Sequence, residues 1–163
     1  MSITSPVIEK HPSGYRLVYE DVYATGILDL WQAITDRERL ARWMVEYTGD
    51  LRLGGTWAVA AVGDEPSWAT GTITACDPPR SFTTTWHAVE EEPTELVVTL
   101  DEVEGGTRMR LVHTGIRSIF YGAGWQTYLE RLEGEVTGQP VTAEWDARFA
   151  ELSPEYEARF GAL

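Results

Sequence analysis

Leu30-Trp31-Gln32-Ala33-Ile34-Thr35-Asp36-Arg37-Glu38-Arg39-Leu40-Ala41-Arg42-Trp43-Met44 is the stretch on which the architecture turns. Its apolar spacing predicts two short helices, Leu28 to Ile34 and Arg37 to Arg42. Asp36 is expected to cap the second by accepting from its first free N–H groups. Helices this short do not stand alone in water, so they must pack as a joint against something larger. Upstream, Tyr15 to Tyr23 alternates and is β-rich, a first strand closed by Ala24-Thr25-Gly26.

Downstream the texture changes to strands cut by turn residues. They are placed near Gly49–Leu53, Thr56–Val62, Trp68–Cys76, Ser81–His87, Glu95–Val103 and Thr107–His113. The breaks, such as Gly54-Gly55, Asp77-Pro78-Pro79 and Gly105-Gly106, supply either positive φ or a fixed φ without a donor. Consecutive strands with short breaks favour an antiparallel meander over βαβ winding. Alternation puts Phe82, Thr84 and Trp86 on one face, with Leu96, Val98 and Leu100, and Met109, Leu111 and His113. Trp57, Val59 and Ala61 are expected to join them. The strand near Trp68–Cys76 does not alternate clearly, and its register stays open.

From Ala123 to Val136 the period becomes helical. Trp125, Tyr128, Leu129, Leu132 and Val136 form one apolar stripe, with Gln126, Glu130, Arg131 and Glu133 on the other side. A sheet with one apolar face and a long helix with one apolar stripe must cover each other. The expected fold class is α+β: a curved antiparallel sheet of about six to seven strands wrapped around a long C-terminal helix, with two short helices after the first strand. Residues 1–14 are an N-terminal segment, 15–137 the domain and 138–163 a helical tail. In the tail, one helix is expected from Thr142 to Leu152, and Ser153-Pro154 is expected to start another. Trp145, Phe149, Tyr156 and Phe160 make the tail too apolar to stay free. It docks on the domain or on a second copy of the chain, as a homodimer.

Composition narrows the partners. The 163 residues include 26 acidic and 13 basic side chains, a formal net charge of −13. Such a surface repels phosphate backbones and anionic lipid, which argues against nucleic acid and membrane as partners. A single cysteine, Cys76, excludes an internal disulfide, and the N-terminus lacks the basic start and apolar run of a signal peptide. A cytoplasmic protein is expected. His11, His87 and His113 have no metal-ligand spacing, so no metal is expected. No phosphate-cradling glycine loop is present, and no cofactor is expected.

The order of elements and several motifs resemble the START-like (SRPBCC, helix-grip) superfamily, and within it the bacterial proteins related to the C-terminal domain of the activator of Hsp90 ATPase. The matching residues are Leu30 to Asp36 with Arg42-Trp43, Gly54-Gly55-Thr56-Trp57, Gly71, Asp77-Pro78-Pro79-Arg80, Trp86, Gly105-Gly106-Thr107-Arg108, His113-Thr114-Gly115 and Gly124-Trp125. The resemblance covers roughly residues 15–137 and is specific for the fold, not for an activity. It implies a deep, mostly apolar cavity between sheet and helix. Members range from small-molecule binders and polyketide cyclases to resistance proteins that sequester a toxic metabolite and chaperone activators.

The expected ligand is a small hydrophobic molecule, aromatic or polycyclic. Its expected contacts are Trp43, Trp57, Val59, Thr84, Trp86, Val98, Met109, Leu111, His113, Tyr121, Trp125 and Leu129. Two of these, His113 at an inward strand end and Tyr121 at the helix mouth, are the candidates for proton transfer if the protein is a cyclase-like enzyme. A His bonded where strand meets loop is the competing reading of His113. The third reading is an Hsp90-activator-like interaction module that binds through the acidic surface or the tail.

Overall fold

The computed structural model describes residues 3–163; Met1 and Ser2 of the N-terminal segment lie outside the described residues. Eight strands form one sheet: β1 (Val7–His11), β2 (Gly14–Tyr23), β3 (Tyr47–Gly49), β4 (Thr56–Val59), β5 (Ala69–Asp77), β6 (Ser81–Ala88), β7 (Thr94–Val103) and β8 (Gly106–Ile116). Their order is β1-β2-β8-β7-β6-β5-β4-β3, and every pairing is antiparallel. Helices α1 (Ile27–Thr35) and α2 (Arg37–Trp43) follow β2, and α3 (Phe120–Thr137) and α4 (Trp145–Phe160) follow β8. This is the helix-grip arrangement, with one strand more than expected. The addition is β1, an edge strand hydrogen-bonded to β2 inside the segment read as preceding the domain.

The inner face follows the period-two rule. Leu17, Tyr19, Asp21 and Tyr23 point inward from β2, Leu96, Val98 and Leu100 from β7, and Met109, Leu111 and His113 from β8; all are buried. Ala61 is exposed because β4 stops at Val59. The open register of β5 has a cause: a bulge between Ile73 and Ala75 interrupts its pairing with β6 and switches faces. A second bulge lies where β8 meets β2. There Gly115, at φ +94°, takes the extra position that L side chains rarely adopt.

The joint between α1 and α2 is closed by the Trp43 indole, which donates to the Ala33 carbonyl at 2.8 Å. Asp36 makes no side-chain capping bond, contrary to expectation; its backbone N–H instead closes α1 on Gln32. The Arg39 guanidinium ties the helices together through Asp29 at 2.7 Å.

α3 lays Trp125, Leu129 and Leu132 on the sheet, as its stripe requires, and ends at Gly138 in the left-handed region. Gln126 is buried as well, although the stripe leaves it on the outer side. The reason is α4, which covers that side with Leu152 and Tyr156. The tail is therefore one helix and not two, with Pro154 inside it. A proline removes one helical hydrogen bond. The contacts of Leu152 and Tyr156 with the domain on either side of that point outweigh the loss. The Tyr156 hydroxyl donates to Gln126 Oε1 at 2.6 Å and meets the Tyr19 hydroxyl from β2, while Arg148 grips both carboxylate oxygens of Glu130 at 2.8 Å. The docking partner of the tail is thus its own domain.

Candidate functional site

Between the sheet and α3 lies an apolar cavity of about 80 Å³. Trp43, Trp57, Trp86 and Trp125 line it, with Val98, Met109, Leu111 and Leu129. Eight of the twelve residues expected at a ligand site therefore share one wall. The order of strands explains it: β8, β7, β6, β5 and β4 are successive in the sheet and each contributes inward positions, while α2 and α3 close the top.

Val59, Thr84, His113 and Tyr121 stand apart from that wall. Val59 is buried elsewhere in the core. Thr84 holds the wall in place, since its Oγ1 accepts the Trp57 indole N–H at 2.8 Å. Gly71 makes room for the same indole; a Cβ there would lie 2.4 Å from Trp57 Cζ2.

His113 has no exposed surface. Its Nδ1 accepts the Trp125 indole N–H at 3.0 Å, which leaves the ring proton on Nε2 to donate to Thr94 Oγ1 at 2.7 Å. The Thr94 hydroxyl in turn donates a hydrogen bond to the Trp86 carbonyl at 2.8 Å. Burial pushes the His113 pKa down to about 3, so the ring is neutral at physiological pH. Both nitrogens are occupied, and the histidine acts here as a pin joining α3, β8, β7 and β6.

Tyr121 lies outside the cavity, at an open cleft of about 610 Å³ between β6, the start of α3 and the start of α4. Its hydroxyl donates to Glu91 Oε2 at 2.9 Å. Burial first, then the Glu91 carboxylate, raises its pKa well above the ordinary phenol value, so it stays protonated. Met44, Trp86 and Trp125 line both cavity and cleft and form the partition between them. The Met44 sulfur also accepts the Tyr47 hydroxyl at 3.2 Å.

Sequence reasoning missed several members. Ile73, Phe82 and Leu96 also line the cavity; alternation puts the last two on the inner face, but they are not among the expected contacts. Met44 ends the opening helix pair and could have been read from it. Trp68, Trp145 and Phe149 line the outer cleft, and no local pattern signals that they meet. Cys76 is half-buried at the cavity's edge with its thiol pKa raised by burial, the opposite of an activated nucleophile. Among the described residues, no helix is long and apolar enough to cross a membrane.

Comparison with solved structures places this geometry among known folds. The crystal structure of CalU16 from Micromonospora echinospora is 27% identical, aligns over 100% of this chain and 98% of that one, and superposes with a TM-score of 0.78. The alignment thus includes α4. Protein MLL2253 from Mesorhizobium loti is 20% identical over 77% of this chain and 99% of that one, with a TM-score of 0.67. DynU16, a protein in the dynemicin biosynthetic locus, is 19% identical over 77% of this chain and 48% of that one, with a TM-score of 0.66. A comparison with curated proteins finds no match. The family model described as activator of Hsp90 ATPase homolog 1-like protein matches residues 24–137, from the turn before α1 to the end of α3. The chain belongs to that family, on the START-like helix-grip fold.

Proposed function

We propose that the protein binds a small hydrophobic molecule, aromatic or polycyclic, in the cavity between the sheet and α3. The observation that carries this reading is the wall itself: four tryptophans around an apolar space that shares three lining side chains with an open cleft. Ligand sites are concave, mostly apolar and rich in aromatic side chains. The presence of the similar DynU16 in a biosynthetic locus supports the same reading.

Size sets a condition on it. An apolar cavity of about 150 Å³ takes benzene. At about 80 Å³, the cavity is smaller than that. A polycyclic ligand therefore needs the lining to move; in this proposal Met44, Trp86 and Trp125, which the cavity shares with the cleft, swing aside and the cavity grows into the cleft as it binds. This is a population shift toward an open state.

A thermal-shift screen with flat aromatics, phenols, sterols and fatty acids tests the proposal. Ligand at a hundred times its Kd adds about 2.7 kcal/mol, which raises Tm by roughly 5–10 °C for this size. The shift is expected for one chemical class and is expected to vanish in Val98→Phe, which fills the cavity. A flat response across all classes overturns the reading in favour of a protein partner. A cyclase-like reaction would have to run in the adjoining cleft, at the Tyr121–Glu91 pair, because both nitrogens of His113 are engaged. Turnover lost in Tyr121→Phe, with binding retained, is the result that would favour it. A cytoplasmic location belongs to the same proposal. A homodimer through the tail would have to use the outer side of α4.

A further inference from the structure

The outer cleft has features the interior cavity lacks. Its aromatic rings run in an unbroken series from Trp68 through Trp86, Trp125 and Tyr128 to Trp145, with successive centroids 5.3 to 6.4 Å apart. The series ends in a parallel stack of Trp145 on Phe149 at 5.0 Å and 11°. Gly124 leaves bare backbone beneath Trp145, where an added Cβ would stand 3.8 Å from the indole. One wall, Trp145 and Phe149, comes from α4, outside the stretch matched by the family model.

Among the lining residues the only ionisable carboxylate or base is Glu91. Tyr121 occupies its Oε2, and no lysine or arginine pairs with it among the described residues. A carboxylate has lone pairs for more than one donor. One buried indole N–H of a lining residue, on Trp145, also has no hydrogen-bond partner. Faces of electron-rich rings beside a carboxylate attract a cation twice, through the ring quadrupole and through the charge. The net charge of −13 draws cations toward the molecule from a distance.

We propose that this cleft is a recognition site for a flat aromatic cation. Its fused rings lie against Trp125 and Trp145, and its protonated amine sits at the Glu91 carboxylate. The site adjoins the interior cavity but does not depend on it, because the cleft is open as it stands.

Proflavine, a flat dye cation, serves as the probe, with anthracene carboxylate as its flat anionic counterpart and acridone as a neutral one; binding is read by dye and tryptophan fluorescence. Proflavine is expected to bind at least about tenfold more tightly than the anion, and Glu91→Gln to weaken it by about tenfold while leaving acridone unchanged. Trp145→Ala, at a half-exposed position, is expected to weaken both proflavine and acridone by removing the stacking face. Glu92→Gln, exposed beside the site, is the control for general charge attraction and is expected to change binding by less than about twofold. Equal losses in Glu91→Gln and Glu92→Gln overturn the proposal, as does failure to discriminate the cation from the anion. Val98→Phe separates the two sites. Proflavine binding that persists there supports the cleft even if the interior reading fails, and binding lost there places the dye inside and overturns the cleft.

Discussion

At the scale of single residues, His113 has the sharpest consequence. Its neutral ring holds the Trp125 indole and Thr94 together, and burial keeps its folded pKa at about 3 against 6.5 for the free side chain. The unfolded chain therefore binds a proton between these values that the folded chain refuses. Stability from this source is complete above about pH 6.5 and declines as pH falls toward 3, by at most about 1.4 kcal/mol per pH unit. His113→Gln retains polar groups but does not titrate. We expect urea unfolding of that variant to show a flatter pH dependence between pH 5 and 6.5 than the parent chain, by up to one proton. An equal slope would show that the ring is protonated in the folded state. The variant should also be less stable by about 1–3 kcal/mol at pH 7, since a re-formed bond to Trp125 needs ideal placement.

Elements are held by close approaches that propensity alone does not foresee. At Gly122 in α3, an added Cβ would lie 2.5 Å from Tyr156 Cε2, whereas at Gly124, two residues on, it would meet only ordinary contact. Alanine is the better helix former at both. We expect Gly124→Ala to hold or gain up to about 1 kcal/mol, and Gly122→Ala to lose about 1–3 kcal/mol by pushing α4 off α3. Thermal melts of the two variants give the comparison, and equal gains in both would mean that α4 is not seated on Gly122. The same docking shows what the sequence made legible. Period-two alternation in β6, β7 and β8 located Trp86, Val98, Met109 and Leu111, and the stripe of α3 located Trp125 and Leu129, because each signal is local. The burial of Gln126, the continuity of α4 through Pro154 and the meeting of Trp145 with Tyr128 depend on contacts between segments far apart in the chain. β1 escaped notice for a related reason: only Ile8 of its five residues is buried, so an edge strand leaves almost no alternation to read.

The whole molecule carries an excess of negative charge that its surface ion pairs do not cancel. Those pairs sit mostly on exposed or half-exposed side chains, where each contributes little. Raising ionic strength from about 0.01 to 0.15 M shortens the screening length from about 30 to 8 Å and relieves the self-repulsion of the folded state. Tm is expected to rise with added sodium chloride, by about 2–4 °C for each kcal/mol gained. A fall would mean that favourable pairs outweigh the repulsion. The partition between cavity and cleft has a consequence of another kind. Trp86 stands 5.3 Å from Trp57, 5.7 Å from Trp125 and 6.0 Å from Trp68, so the electronic transitions of four indoles mix across the wall that a ligand would have to move. The chain thus carries its own chromophore cluster at the gate. Swinging one ring aside breaks the exciton pairing, and the aromatic circular dichroism would register the opening in unlabelled protein.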